Sequence, residues 1–317
     1  MTDGRPWLVR RLALGAVQTA GVVVAVFVLT EALPGDAAVA LAGDQPDPER
    51  VERIREAMEL DRPAVERFAG WAGGLFRGDL GTSLVSGRPV TAYLSAALGP
   101  TLLLTGLTVL LLVPVSVGLG MLAARREGGR ADRLVSGATL AVYAVPEFAL
   151  GVLLIVVFAL RLGWLPPTAV GHGSDLLAEP AVLVLPVTVL LARPVCTLSR
   201  LVRAGMIDAT AAPYAAQARR HGVSARRVRW AHALPNALAP ATQQLARTCD
   251  WLLSGVIVVE ALFVIPGLGT VMMDAVSARD IPVIQGLAVV FGLVTVALNL
   301  AADLVTRRLA PRAGAAA

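Results

Sequence analysis

Lysine is missing from this chain altogether, so all 28 basic residues are arginine. Without lysine there can be no phosphate-binding loop of the G-x-x-x-x-G-K-[ST] kind. If nucleotide hydrolysis drives this protein, another chain carries it out. Cysteine and histidine are scarce as well. Cys196 and Cys249 both sit in apolar blocks and form neither a disulfide framework nor a zinc spacing, and His172, His221 and His232 are scattered. No metal site is expected, and no residue set suggests covalent catalysis. Charge of either sign is short: 16% of the 317 residues are charged while 56% are hydrophobic, at a mean hydropathy of +0.69. A soluble domain of this length would need more polar surface to cover its core.

What is present is a series of apolar blocks of about twenty residues, the length a helix needs to cross a bilayer. Six stand out, at about 12–31, 101–124, 134–160, 181–199, 239–264 and 284–306. The first is too long for a signal-peptide core, and Glu31-Ala32-Leu33-Pro34 makes a poor cleavage site. The expectation is an all-α integral membrane protein with six transmembrane helices and one compact membrane domain.

Arginine placement predicts its orientation. Arg5, Arg10 and Arg11 precede the first span, Arg125, Arg126, Arg130 and Arg133 follow the second, and Arg307, Arg308 and Arg312 follow the sixth. Seven more arginines fill the segment after the fourth span. Acids outnumber arginines on the other side, so the N- and C-termini are expected to be cytoplasmic. The basic pI of about 10.1 is explained by this bias, and no nucleic-acid partner is expected. The chain is accordingly divided into an N-terminal part with the first span (1–33), an extracytoplasmic segment (34–100) and a five-helix domain (101–317). In the extracytoplasmic segment, Asp47-Pro48 reads as a helix cap followed by proline at the first helical position. Val51, Ile54 and Met58 then recur at helical spacing, and a second amphipathic piece carries Val65, Phe68, Trp71 and Leu75.

The cytoplasmic segment of about 200–238 is the most informative. Thr210 and Pro213 can start a short helix through Tyr214, Ala215, Ala216, Gln217, Ala218, Arg219 and Arg220, which His221-Gly222 stops. Ser224 can cap a second short helix, and Leu234-Pro235-Asn236 is expected to break the chain before the fifth span. Small residues let another backbone approach, and arginines offer charge to an acidic partner. Read from the residues alone, the segment is equally a basic loop that only anchors topology.

Gly222 followed thirteen residues later by Pro235, with Leu234 before it, resembles the signature loop of bacterial ABC-importer permeases. Nearly the whole chain is similar to the branch that imports dipeptides, oligopeptides and nickel. Arg10-Arg11-Leu12, Pro34-Gly35-Asp36, Leu60-Asp61-Arg62-Pro63, Gly78-Asp79-Leu80-Gly81-Thr82-Ser83, Leu185-Pro186, Pro266-Gly267-Leu268-Gly269, Arg279-Asp280 and Gln285-Gly286 carry the likeness in order. One departure is that Ala216 stands where many members open the signature with Glu, a residue this branch commonly lacks. The resemblance implies a coupling helix that docks in a groove of an ATPase subunit, with Tyr214, Ala216, Ala218, Arg219, Arg220, Gly222 and Pro235 as its residues. It further implies a second related permease forming a heterodimer, two ATPase subunits that use ATP and magnesium, and an extracytoplasmic solute-binding protein. The chain itself then binds no cofactor, catalyses nothing, and lies in the bacterial cytoplasmic (inner) membrane, passing a small polar solute such as a di- or oligopeptide, with nickel as an alternative.

Five ionisable residues fall inside apolar blocks: Glu147, Arg193, Arg247, Asp250 and Glu260. A charge at the centre of a spanning helix costs roughly 2.5–3.5 kcal/mol on insertion scales, so these side chains are expected to face protein or water. Glu260 fits the family pattern and reads as structural. Glu147, Arg193, Arg247 and Asp250 either neutralise one another or line a polar path for a charged or zwitterionic solute. A secondary transporter is the rival class; it would show inverted repeats and broken helices, and neither is visible in the sequence. A membrane scaffold that transports nothing is the other.

Overall fold

The computed structural model describes residues 4–32, 38–39, 47–57, 61–171 and 176–309. The Pro34-Gly35-Asp36 motif, Met58 and His172 lie outside them, as do the side chains of Ile54, Arg247, Cys249, Asp250, Ser254, Asn299 and Asp303. Among the described residues every regular element is helical, with one isolated β-bridge from Thr82 to Pro89. The helices are α1 (Gly4–Glu31), α2 (Pro48–Ala57), α3 (Ala64–Phe76), α4 (Val90–Ala124), α5 (Arg130–Ala144), α6 (Glu147–Leu154), α7 (Ala181–Ala211), α8 (Pro213–Arg220), α9 (Ala225–Arg227), α10 (Leu234–Phe263), α11 (Leu268–Ser277) and α12 (Ile281–Leu309). Two π-helical turns, Ile155–Arg161 and Val228–Ala233, extend α6 and join α9 to α10.

Among the described residues three helices are long and apolar enough to cross a membrane: Val9–Glu31, Val90–Ala124 and Ala181–Ala211. The count rises to five if each of two broken helix pairs is one span, and Ile281–Ala297 is a shorter apolar helix. One broken pair alters the sequence reading. The block at 134–160 is not one straight span: α5 and α6 meet at 105°. Pro146 is the cause. It offers no N–H to the helix ladder and pushes its predecessor out of the helical region, and Val145 is extended at φ −82°, ψ 128°. A broken helix, which the sequence did not reveal, is therefore part of this fold.

The chain divides into two compact units, residues 1–101 with 266–297, and residues 102–265 with 298–317. In the first, α1 meets α3 through an aromatic cluster, Phe27 with Phe68 and Trp71 at ring centroids of 5.2 and 6.0 Å, and through an ion pair between Glu31 and Arg67. Asp47 caps α2 as expected, accepting from the Glu49 N–H at 3.2 Å. The core of this unit gathers Val90, Ala97, Leu268, Ala275, Val283 and Leu287. The buried Asp280 carboxylate accepts from Ser83 Oγ and from the Leu84 N–H, which ties the Gly78–Pro89 turn to the start of α12. Thr101 Oγ1 accepts from the Leu268 N–H at 2.9 Å and so satisfies a donor that the first turn of α11 leaves free.

The second unit is built on α7 and α10, which pack along most of their length. Leu183, Leu190, Leu252, Val256 and Phe263 form the main core with Leu104 of α4. Nearer the chain's basic loop, Val202 and Met206 of α7 meet Ala237 and Ala241 of α10, with Ala233 just before it. Pro186 and Pro194 lie inside α7 and both are buried. The contact is closest at Gly205, where an added Cβ would stand 2.8 Å from the Ala237 carbonyl oxygen and 2.9 Å from its Cα. Those atoms are backbone and cannot swing aside. Gly205→Val is therefore expected to destabilise the folded chain by about 1–3 kcal/mol. Gly21→Val, whose Cβ would meet nothing within 4 Å, is the control, and thermal unfolding of the two variants in detergent compares them.

Candidate functional site

α7 does not end where its apolar block ends at 199 but continues to Ala211. Thr210 belongs to its last turn, with Oγ1 donating to the carbonyls of Met206 at 2.8 Å and Ile207 at 3.1 Å. It does not start the next helix as the sequence suggested. Ala212 occupies the cap position without a side-chain bond, and Pro213 opens α8. The reason is that a threonine hydroxyl bonded back onto its own helix is no longer available to cap another.

α8 then runs from Pro213 to Arg220 as predicted. Ala215 is fully buried against the unit, Ala216 and Ala218 are half-buried, and Tyr214, Arg219 and Arg220 are exposed. The helix ends in a complete Schellman motif. The Val223 N–H donates to the Ala218 carbonyl at 3.1 Å and the Gly222 N–H to that of Arg219 at 3.0 Å, with Gly222 in the left-handed region at φ +79°. Arg219 Nη1 donates to the Thr210 carbonyl at 3.2 Å, bracing α8 against the end of α7. Ser224 accepts from the Arg227 N–H at 3.4 Å and caps α9 as expected.

Pro235 does not break the chain. α9, the π turn and α10 form a continuous helical path from Ala225 to Phe263. Pro235 is the second residue of α10, directly after the π turn, so the N–H it lacks falls where the ladder changes from π to α bonding. Asn236 follows it and donates to the His232 carbonyl at 2.7 Å and to the Tyr214 hydroxyl at 3.3 Å. Tyr214 and Pro235 are thus brought together, and α8 lies against the root of α10. A cleft of about 200 Å³ lined by Met121, Met206, Thr210, Arg219 and Arg229 opens beside it.

Beside this loop the structure holds a residue pair that the sequence reading missed. Asp132 of α5 accepts from Arg203 Nε at 2.6 Å and Nη2 at 2.7 Å, from the Gly128 N–H at 2.8 Å and from Ser136 Oγ at 3.2 Å. The available signal was an acid set among Arg125, Arg126, Arg130 and Arg133; the partner seventy-one positions away was not legible.

Of the intramembrane charges, Glu147 is the first residue of α6, directly after the Pro146 break. Its carboxylate abuts Gly255 of α10, and its Oε1 is buried without a hydrogen-bond partner. Arg193 lies at the middle of α7, stacked on the Tyr143 ring at 4.9 Å, and acts on Glu147 as its charged neighbour. Arg247 and Asp250 lie on α10, but their side chains fall outside the described residues. Glu260 is buried. Among the described residues no group of three or more His, Cys, Asp or Glu side chains is placed to share a metal ion.

Among the described residues the chain is helical, with three helices long and apolar enough to cross a membrane, and its similarity to known proteins gives its class. The chain is a member of the family described as binding-protein-dependent transport system inner membrane component, which it matches over residues 116–314; residues 5–93 match that family's N-terminal region. It is 33% identical over 96% of its length to a probable peptide ABC transporter permease protein, y4tP, of Sinorhizobium fredii, covering 98% of that protein. It is 34% identical over 92% of its length to a putative peptide transport system permease protein of Brucella abortus, covering 93% of it. It is 36% identical over 96% of its length to the glutathione transport system permease protein GsiC of Pectobacterium atrosepticum, covering 97%. The chain is thus the transmembrane subunit of a binding-protein-dependent ABC importer in the bacterial inner membrane, with ATP hydrolysis in a separate subunit and solute delivered by a binding protein.

Proposed function

We propose that this chain is one of two related permeases in a heterodimer that imports di- or oligopeptides, served by two ATPase subunits that use ATP and magnesium. The observation that carries the reading is α8, an exposed Ala-rich helix that follows α7 directly, is braced to its end by Arg219, and is hydrogen-bonded to the root of α10 through Tyr214 and Asn236. A push on α8 moves the roots of the two longest-packed helices of its unit, which is what a coupling element must do. Tyr214, Ala216, Ala218, Arg219, Arg220, Gly222 and Pro235 are its working residues, and Glu147, Arg193, Arg247 and Asp250 line the path. Relatives named for peptide and glutathione transport support a peptide as the solute; nickel is the alternative on the same framework. In proteoliposomes holding the whole importer, uptake of a dipeptide should stop when the partner ATPase is disabled. Uptake that continues unchanged would make the chain a secondary transporter.

Six spans with both termini in the cytoplasm complete the proposal, supported by the arginine bias. Arg55→Cys and Arg226→Cys, each in a chain lacking Cys196 and Cys249, should label with an impermeant thiol reagent from opposite sides of the membrane. Labelling from the same side would refute this topology.

A further inference from the structure

Arg193 is charged, sits midway along a helix apolar enough to span a membrane, and among the described residues has no acid paired to it. Its guanidinium carbon stands 4.9 Å from the Tyr143 ring centroid, and Arg200 holds the same ring at 5.0 Å. Among the described residues it makes no ion pair and no side-chain hydrogen bond. An arginine that served only to neutralise a buried acid would be seated on one, as Arg203 is on Asp132. Arg193 instead borders a cleft of about 310 Å³ with Tyr143, Thr197, Gln244, Thr248 and Trp251. Stacking on Tyr143 orients the guanidinium plane while leaving its donors unused. Those donors form a planar fork that matches a carboxylate. The hydroxyls of Thr197 and Thr248 are spent on the Arg193 and Gln244 carbonyls of their own helices, so the guanidinium is the donor the cleft offers, and Trp251 adds an apolar wall.

The cleft's volume is at the lower end of ligand pockets, ~300–1,000 Å³, so it takes the end of a solute and not a long peptide.

We infer that the cleft at Arg193 is the subsite that receives the solute's carboxylate during passage. This rests on the importer reading above, and it goes further in assigning the carboxyl end of the solute to named residues and in adding Tyr143, Thr197, Gln244, Thr248 and Trp251 to the path. Arg193 would touch the solute; Tyr143 would position Arg193.

Trp251 supplies the test. Trp251 is read as the difference in emission between the complete importer and the same importer carrying Trp251→Phe, both in nanodiscs without binding protein. Alanylalanine should change its emission saturably, and alanylalanine amide, which lacks the carboxylate, should bind about tenfold more weakly or worse. Arg193→Gln should remove the preference for the acid, and Arg193→Lys should restore part of it. Equal affinity for acid and amide in the cleft with Arg193 intact, or no saturable response to either, overturns the inference. Failure of the importer reading looks different: the cleft would still prefer the acid, while dipeptide uptake would ignore the loss of ATPase activity.

Discussion

Gly222→Val is expected to cut ATP-driven uptake by about tenfold or more while the protein still inserts and the partner ATPases still turn over. Gly222 closes the Schellman motif at φ +79°, a conformation that costs an ordinary L-residue roughly 1–2 kcal/mol and a β-branched residue more. A strain of that size corresponds to about a tenfold shift in the population of the correctly closed loop. An added Cβ would meet nothing within 4 Å, so packing is not disturbed and the whole effect passes through the backbone that orients α8. This makes a sharp control available. Gly222→Asn should retain near-normal uptake, because asparagine tolerates the left-handed region. Ala218→Glu should uncouple by a different route, placing bulk and negative charge on the half-buried side of a helix meant to meet another protein. Normal uptake in both Gly222→Val and Ala218→Glu would remove α8 from the coupling mechanism.

α8 itself was legible because its signals are local. Pro213 at the first position, an Ala-rich run and Gly222 after the last turn all act within one or two turns of helix, and all three hold. Three of the six apolar blocks, the first, second and fourth, were legible for the same reason and stand as helices long and apolar enough to cross a membrane, since length and hydropathy need no partner. What failed was any feature decided by competition. Thr210 has a hydroxyl that can cap α8 or bond back into α7, and the structure takes the second. Pro235 can break a helix or be absorbed in its first turn; the π turn at Val228–Ala233 decides, and no residue type announces a π turn. Pro146 lay inside an apolar block whose hydropathy hid it, although Pro186 and Pro194 show that proline alone does not dictate a 105° bend. Contacts between distant residues were invisible by nature. The stacking of Arg193 and Arg200 on Tyr143 needed the coordinates, and so did the pairing of Asp132 with Arg203.

That last pair carries the second large effect. Asp132→Ala is expected to lower the unfolding temperature of the full chain by on the order of 5–10 °C and to reduce uptake with it. The carboxylate holds four donors at once: both Arg203 nitrogens, the Gly128 N–H and Ser136 Oγ. Deleting it strands the Arg203 guanidinium beside a core of Val202, Met206 and Ala209 and frees the turn at Gly128 from α5. Asp132→Asn keeps the size but presents a neutral amide, half donor and half acceptor, to groups that are all donors. It should therefore be nearly as damaging as alanine. Arg203→Leu alone leaves the opposite charge stranded and should also destabilise. The double variant Asp132→Ala with Arg203→Leu is the informative one. It removes both charges, so it should unfold at a higher temperature than either single variant despite losing more bonds. A double variant as unstable as the sum of the two singles would show that the bonds to Gly128 and Ser136 matter and the charge pairing does not. Arg203 lies on α7 just ahead of α8, and the pair fastens α7 to the loop that follows α4. The double variant should consequently recover stability without recovering uptake, because α7 would fold correctly yet lack the anchor against which a push on α8 is transmitted.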